Sequence, residues 1–227
     1  MKRFNKILIL ILSVLPTVYT AVAVWCILPD RVPAHFNFQG QVDRYGSKYE
    51  AFLMPAILLV MCLIYFLCRK FALKSSTDAQ SRTEANLAVA DTVVLLICVL
   101  FNAMCVTILF LMADHKTFKA DSVFSIVMAT TSGMVLILLG NIMPKTRRNH
   151  FLGMRMRFCM DTDEHWYIAN RAGGVAMVLA GVVTVVCGLV FRNINYIFGM
   201  VISLLVFTTV AIIYSYVKIK GKKQSEE

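Results

Sequence analysis

The sequence predicts an all-α, polytopic membrane protein with six transmembrane helices and both termini in the cytoplasm. Three observations predict it. Of 227 residues, 59% are hydrophobic and only 16% charged, too few polar groups to clothe a soluble domain. The apolar residues fall in uninterrupted runs of 18 or more, long enough to cross about 30 Å of hydrocarbon at about 1.5 Å per residue. And 17 of the 23 Lys and Arg fall at the termini and in alternate connecting segments, the asymmetry that puts those segments on the cytoplasmic side.

The spans are placed at 7–28, 51–68, 89–113, 123–143, 174–191 and 196–217. They are helices rather than barrel strands, because their apolar runs do not alternate with polar residues. The first begins after MKRFNK and runs to Leu28, too long for a cleaved signal segment, so it reads as a retained helix bent by Pro16. The third carries Asp91 at its cytoplasmic end, and no other Asp, Glu, Lys, Arg or His falls inside a span. A proton-coupled transporter, which keeps such groups deep in the bilayer, is therefore a poor fit. Asn102 and Asn141 read as hydrogen-bond partners between helices. In the fifth span Gly174, Gly181 and Gly188 recur every seven residues, forming a stripe for close packing within the bundle. Only residues 192–195 separate it from the sixth span, which must be its antiparallel neighbour.

The net charge of +10 is thus a matter of topology, and no direct contact with nucleic acid follows from it. Cys26, Cys62, Cys68, Cys98, Cys105, Cys159 and Cys187 form no CxxC, and neither a zinc site nor a disulfide framework is supported. No cofactor or metal motif is present.

Residues 29–50 make a dense polar knot on the outer side. Pro29 and Pro33 stop the helix and favour extended chain, and Gly40 and Gly46 suit turns with positive φ. Phe36, Phe38, Tyr45 and Tyr49 suit the headgroup level. His35, Asp43, Asp30 and Glu50 lack a diagnostic metal spacing, and Asn37 and Asp43 are expected to bond the loop's own backbone. Aromatic and arginine content suits this surface to capturing a peptide. The run Leu28-Pro29-x3-Pro33-x-His35-Phe36-Asn37-x2-Gly40-x2-Asp43-x2-Gly46-Ser47-Lys48 resembles the signature of domain of unknown function 1648. That small membrane domain is often found at the front of bacterial SdpI-like proteins.

The largest inner segment, 144–173, holds Arg147, Arg148, Arg155 and Arg157, a basic surface for anionic headgroups or for a cytoplasmic protein. Asp161 and Glu164 fit a capping box for a short helix starting near Thr162, with Trp166 lying along the membrane interface. His150, Asp161, Glu164 and His165 are the candidate catalytic groups, but they match no spaced catalytic motif. Gly140-Asn141-x-Met143-Pro144-Lys145, Asn149-x-Phe151-x-Gly153-x-Arg155 and Trp166-x3-Asn170-Arg171-x-Gly173-Gly174 resemble the core signature of the SdpI family. Met156-Arg157-Phe158 departs from it, standing where the family commonly shows Thr-Pro-Trp, and loss of the proline is expected to change the local turn.

The resemblance implies a non-enzymatic toxin-immunity and signalling protein. It would protect the bacterium against a secreted peptide toxin outside and hold a helix-turn-helix autorepressor at the membrane inside. The chain then divides into a first helical hairpin with its ordered loop (1–70), a third helix with flanking loops (71–122) and an SdpI-like region (123–227). Toxin contact is expected at Pro33, His35, Phe36, Asn37, Gly40, Asp43, Arg44, Gly46 and Lys48. The cytoplasmic partner is expected at Asn149, Phe151, Gly153, Arg155, Arg157, Trp166, Asn170 and Arg171. A small permease for an uncharged or lipid-like solute is the competing class. Against it stand the scarcity of buried polar groups and the unlike loops of the two halves.

Overall fold

A computed structural model of the chain describes residues 3–36, 42–75, 80–114, 120–149, 153–193 and 195–226. The expected loop residues Asn37, Phe38, Gly40, His150 and Phe151 lie outside them. Among the described residues six helices are long and apolar enough to cross a membrane. They are α1 (Arg3–Cys26), α2 (Leu53–Ser75), α3 (Gln80–Ala113), α4 (Ala120–Ile142), α5 (Asp163–Phe191) and α6 (Tyr196–Glu226). The protein is an all-α, multi-pass membrane protein. Between α1 and α2 it adds a two-stranded antiparallel ribbon, β1 (Arg31–Phe36) and β2 (Val42–Ser47). Several helices outrun their apolar cores. The 34 residues of α3 extend about 50 Å, well beyond the hydrocarbon thickness.

Leu10, Phe110, Val190 and Leu205 are among the many large apolar side chains left exposed, which is the surface a bilayer covers. The interior is correspondingly thin and held together in patches. Under the ribbon, Val32 is fully buried with Ala23, Val24, Leu28, Ala51 and Met112, so the ribbon sits on the ends of α1 and α3. A second patch joins Ile9, Leu58, Cys62 and Cys98 across α1, α2 and α3.

Helix α4 packs closest on α5, and the glycine stripe is the reason. A Cβ on Gly181 would lie 2.6 Å from the Gly133 carbonyl, and one on Gly133 would lie 2.7 Å from that of Gly181. Gly140 and Gly174 stand in the same reciprocal relation at 2.5 Å. The stripe on α5 therefore meets a matching one on α4, and the backbones approach within reach of Cα–H···O contacts.

Two polar arrangements tie the first half together. Pro16 stays within a continuous α1 and has no N–H to give Leu12, four residues earlier. Asn102 of α3 takes its place, its amide nitrogen donating to the Leu12 carbonyl at 2.9 Å. Asn102 is thus an interhelical partner as expected. Asn141 instead donates within α4, to Ile137 at 2.9 Å. At the far ends of α2 and α3 the fully buried Asp91 pairs with Arg69 at 2.8 Å, and Tyr65 donates to the same carboxylate oxygen. Arg69, placed just past the second span by hydropathy, neutralises the one acidic group within the third.

Candidate functional site

The functional residues expected from sequence gather at opposite ends of the bundle, one in the ribbon and one around the basic segment between α4 and α5.

At the ribbon, the register pairs Arg31 with Ser47, Val32 with Gly46, Pro33 with Tyr45 and His35 with Arg44, with irregularities on either side of His35. Val32 and Pro33 turn into the molecule and are buried, while His35, Asp43 and Arg44 stay exposed. The exposed groups pair with one another. His35 Nδ1 lies 2.6 Å from Asp43 Oδ1, so Asp43 meets a side chain rather than the backbone expected of it. Arg44 forks onto Glu50, donating at 2.8 Å and 3.3 Å, and Lys48 reaches Asp30 at 2.9 Å. The hydrogen bond from Arg44 holds the Glu50 carboxyl below its ordinary range, and that from Lys48 to Asp30 holds the Lys48 amine above its own. Asp43, Glu50 and Asp30 are thus each taken by a separate partner. Among the described residues no three His, Cys, Asp or Glu side chains converge as a metal site would require.

Gly46 is a strand residue with ordinary φ, not the turn expected of it. Its missing side chain makes room instead: a Cβ there would lie 2.0 Å from Glu50 Oε1. Glu50 folds over this gap because it also closes a capping box. The Ser47 hydroxyl accepts from Tyr49 N–H, and Glu50 accepts from the Ser47 N–H at 3.2 Å. The SKYE run ahead of an apolar stretch was the signal for this cap.

At the basic end, the chain between α4 and α5 is pinned by buried groups of α5. Trp166 is 2% exposed, and its indole N–H donates to the Thr146 carbonyl at 2.8 Å. Asn170, fully buried, accepts from Met154 N–H at 2.8 Å and donates to Trp166 O. Gly153 crosses them at φ 102°, where a Cβ would fall 2.3 Å from Asn170 Oδ1. These three signature residues form one unit that shapes the segment from within. Trp166 therefore lies inside the protein rather than along an interface.

Helix α5 is also longer than expected, continuous from Asp163, and its N-cap is Thr162 rather than Asp161. The Thr162 hydroxyl accepts from His165 N–H at 3.1 Å, while the Asp161 carbonyl accepts from Arg148 at 2.7 Å. Arg148 also donates to Met160 O at 2.9 Å. Arg155, Arg157 and Arg171 are exposed. Asn149 is half-buried and turns its amide onto the Arg147 carbonyl at 2.6 Å. Arg157 opens a short 3-10 turn over Arg157–Cys159, a first position whose N–H has no partner within the turn and where a proline would also fit. Phe158 lies edge-on to Tyr216 of α6 at 5.5 Å. Beyond the signature, Asn86 of α3 accepts from Arg147 N–H at 2.9 Å, and Glu164 pairs with Lys222 of α6. The hydrogen-bonding roles of Arg148, Thr146 and Asn86 had no motif to announce them.

Residues 11–59 match the family model described as a domain of unknown function (DUF1648), and residues 145–216 match that of the SdpI/YfhL protein family. Over 231 aligned residues the chain is 22% identical to "Immunity protein SdpI" of Bacillus subtilis (strain 168), an alignment covering 98% of this chain and 99% of that protein. No solved structure matches the chain.

Proposed function

Because the chain is an SdpI-family, multi-pass protein of the bacterial cell membrane, we propose that it is a non-enzymatic immunity protein that protects the cell against a secreted peptide toxin. The exposed ridge of His35, Asp43 and Arg44 is the toxin-facing surface in this reading. The observation that carries it is the ridge itself. Its charged groups are preorganised by pairs at 2.6 Å and 2.8 Å and stand on a ribbon whose other side, at Val32, is anchored in the core. A surface fixed before binding loses little entropy on capturing a flexible peptide. The name of the Bacillus relative supports immunity as the role.

The basic end, carrying 17 of the 23 Lys and Arg together with the termini, faces the cytoplasm in this reading. There the exposed Arg155 and Arg157 offer the contact for a helix-turn-helix repressor, positioned by the buried Trp166–Asn170–Gly153 unit. Signalling requires the toxin to favour one of two states of the bundle.

The test is survival of a toxin-sensitive strain expressing the chain and challenged with the secreted peptides of the strain that encodes it. His35→Ala with Asp43→Ala is expected to abolish protection at unchanged membrane levels. Full protection by that variant would refute the assignment of the ridge. Crosslinking from position 157 in native membranes, read by mass spectrometry, tests the repressor. Recovery of lipid alone would remove it.

A further inference from the structure

Between α5 and α6, near the basic end, runs an open groove of about 500 Å³ whose character changes along its length. One end carries Arg171 from α5 and Lys218 from α6, and the remainder is lined by Val175, Leu179, Phe207 and Val210. Each cation is held by a tyrosine one turn away on its own helix. Arg171 donates to the Tyr167 hydroxyl at 3.1 Å, and Lys218 donates to that of Tyr214 at 3.1 Å. Each also lies within 6.0 Å of the centre of that tyrosine's ring.

The Glu164–Lys222 pair sets the antiparallel register. It brings Tyr167 level with Lys218 and Arg171 level with Tyr214, so the four groups lie within about 6 Å along the bundle axis. Among the described residues neither cation is in direct contact with a carboxylate, as Lys48, Arg69 and Lys222 are, although Glu164, clasped by Lys222, also feels the charge of Lys218.

We propose that this groove binds one anionic phospholipid, its phosphate between Arg171 and Lys218 and an acyl chain along the apolar trough. Tyrosines at the level of the cations mark the headgroup depth, where aromatic rings with a polar tip settle. Two preorganised cations above a lipid-facing trough match an anion joined to a hydrocarbon chain, and neither half alone explains the other. A second copy of this chain is a poorer occupant. Inserted in the same orientation, it would bring its own basic end to the same level, cation against cation. The site does not depend on the immunity reading, and Arg171 belongs to lipid here rather than to a cytoplasmic protein.

Native mass spectrometry of the full chain, equilibrated with phosphatidylglycerol or phosphatidylcholine of identical acyl chains, decides it. One retained phosphatidylglycerol is expected, favoured over phosphatidylcholine by about thirtyfold, the factor that two surface cations contribute. Arg171→Gln with Lys218→Gln is expected to abolish the preference, while Arg171→Lys with Lys218→Arg keeps it and shows that the fold survives. Leu179→Trp, which fills the trough, is expected to release the lipid with both charges in place. The control Lys70→Gln, an exposed cation of α2 at the same basic end, leaves retention unchanged. Equal retention of the two lipids, an unchanged preference in the double glutamine variant, or full competition by inorganic phosphate would each overturn the site. So would a dimer that excludes lipid.

Discussion

The two ends of the molecule use polar side chains in different ways. At the ribbon they meet each other on the surface: His35 with Asp43, Arg44 with Glu50, Lys48 with Asp30. At the basic end surface pairs also occur, Arg148 with Asp163 and Glu164 with Lys222, but several side chains serve backbone: Trp166 on Thr146 O, Asn170 on Met154 N, Arg148 on Met160 O and Asp161 O. Exposed pairs contribute little to stability, whereas a buried side chain that satisfies a backbone group is costly to remove. The ribbon's exposed signature residues thus hold one another, whereas Gly153, Trp166 and Asn170 of the basic end shape the backbone of their own segment and leave Arg155 and Arg171 exposed. Signature residues can therefore sit on the surface in one region and inside the scaffold in another.

The largest effect expected from this contrast is at Gly153. Gly153→Ala forces a Cβ onto Asn170 at positive φ and is expected to cost about 3 kcal/mol, seen as early thermal unfolding in detergent and rapid proteolysis between α4 and α5. Wild-type behaviour would break the comparison, by showing that the segment does not depend on its pins. Next comes Asn102, a fourth polar group serving backbone. Asn102→Leu leaves the Leu12 carbonyl unpaired and is expected to cost about 1–3 kcal/mol. Pro16→Ala restores an N–H to that carbonyl and should recover much of the loss, a coupling that a double-mutant cycle measures directly.

At the ribbon, His35→Ala and Asp43→Ala should each change stability by less than about 1 kcal/mol while removing protection. A large loss of stability would put these residues in the scaffold class. The smallest effect is on pH. The Glu50 carboxyl is held low by Arg44, so the stability this clasp adds is present above the unfolded carboxylate value and is lost only as pH falls through the lower, folded one. Protease protection of the ribbon should persist through the ordinary carboxylate range and decline below it. Glu50→Gln should flatten that decline.

Hydropathy made the six spans legible, because crossing hydrocarbon imposes a length and a composition that few other constraints mimic. The ribbon was not legible as strands. Pro33 pointed to extended chain, but Gly46 pointed to a turn, and the pairing around His35 is irregular, so no strand pattern stood out. The start of α5 was ambiguous because two capping residues stand side by side. The Thr162 hydroxyl takes the cap by accepting from His165 N–H, while Arg148 holds the Asp161 carbonyl in a contact 13 residues apart that no local pattern contains. Trp166 was misplaced for a similar reason. Tryptophan favours membrane interfaces, but a buried carbonyl within reach of its indole N–H outweighs that preference.

Helix α3 touches both ends of this contrast. Near its last turn Met112 lies under Val32 of the ribbon, and near its start Asn86 holds the Arg147 amide of the basic segment. Between them runs one unbroken helix, so the ribbon and the basic segment take their separation and their relative facing from a single element. Shortening or lengthening α3 by one residue would rotate one tip by about 100° against the other, uncoupling the ends while leaving each locally intact.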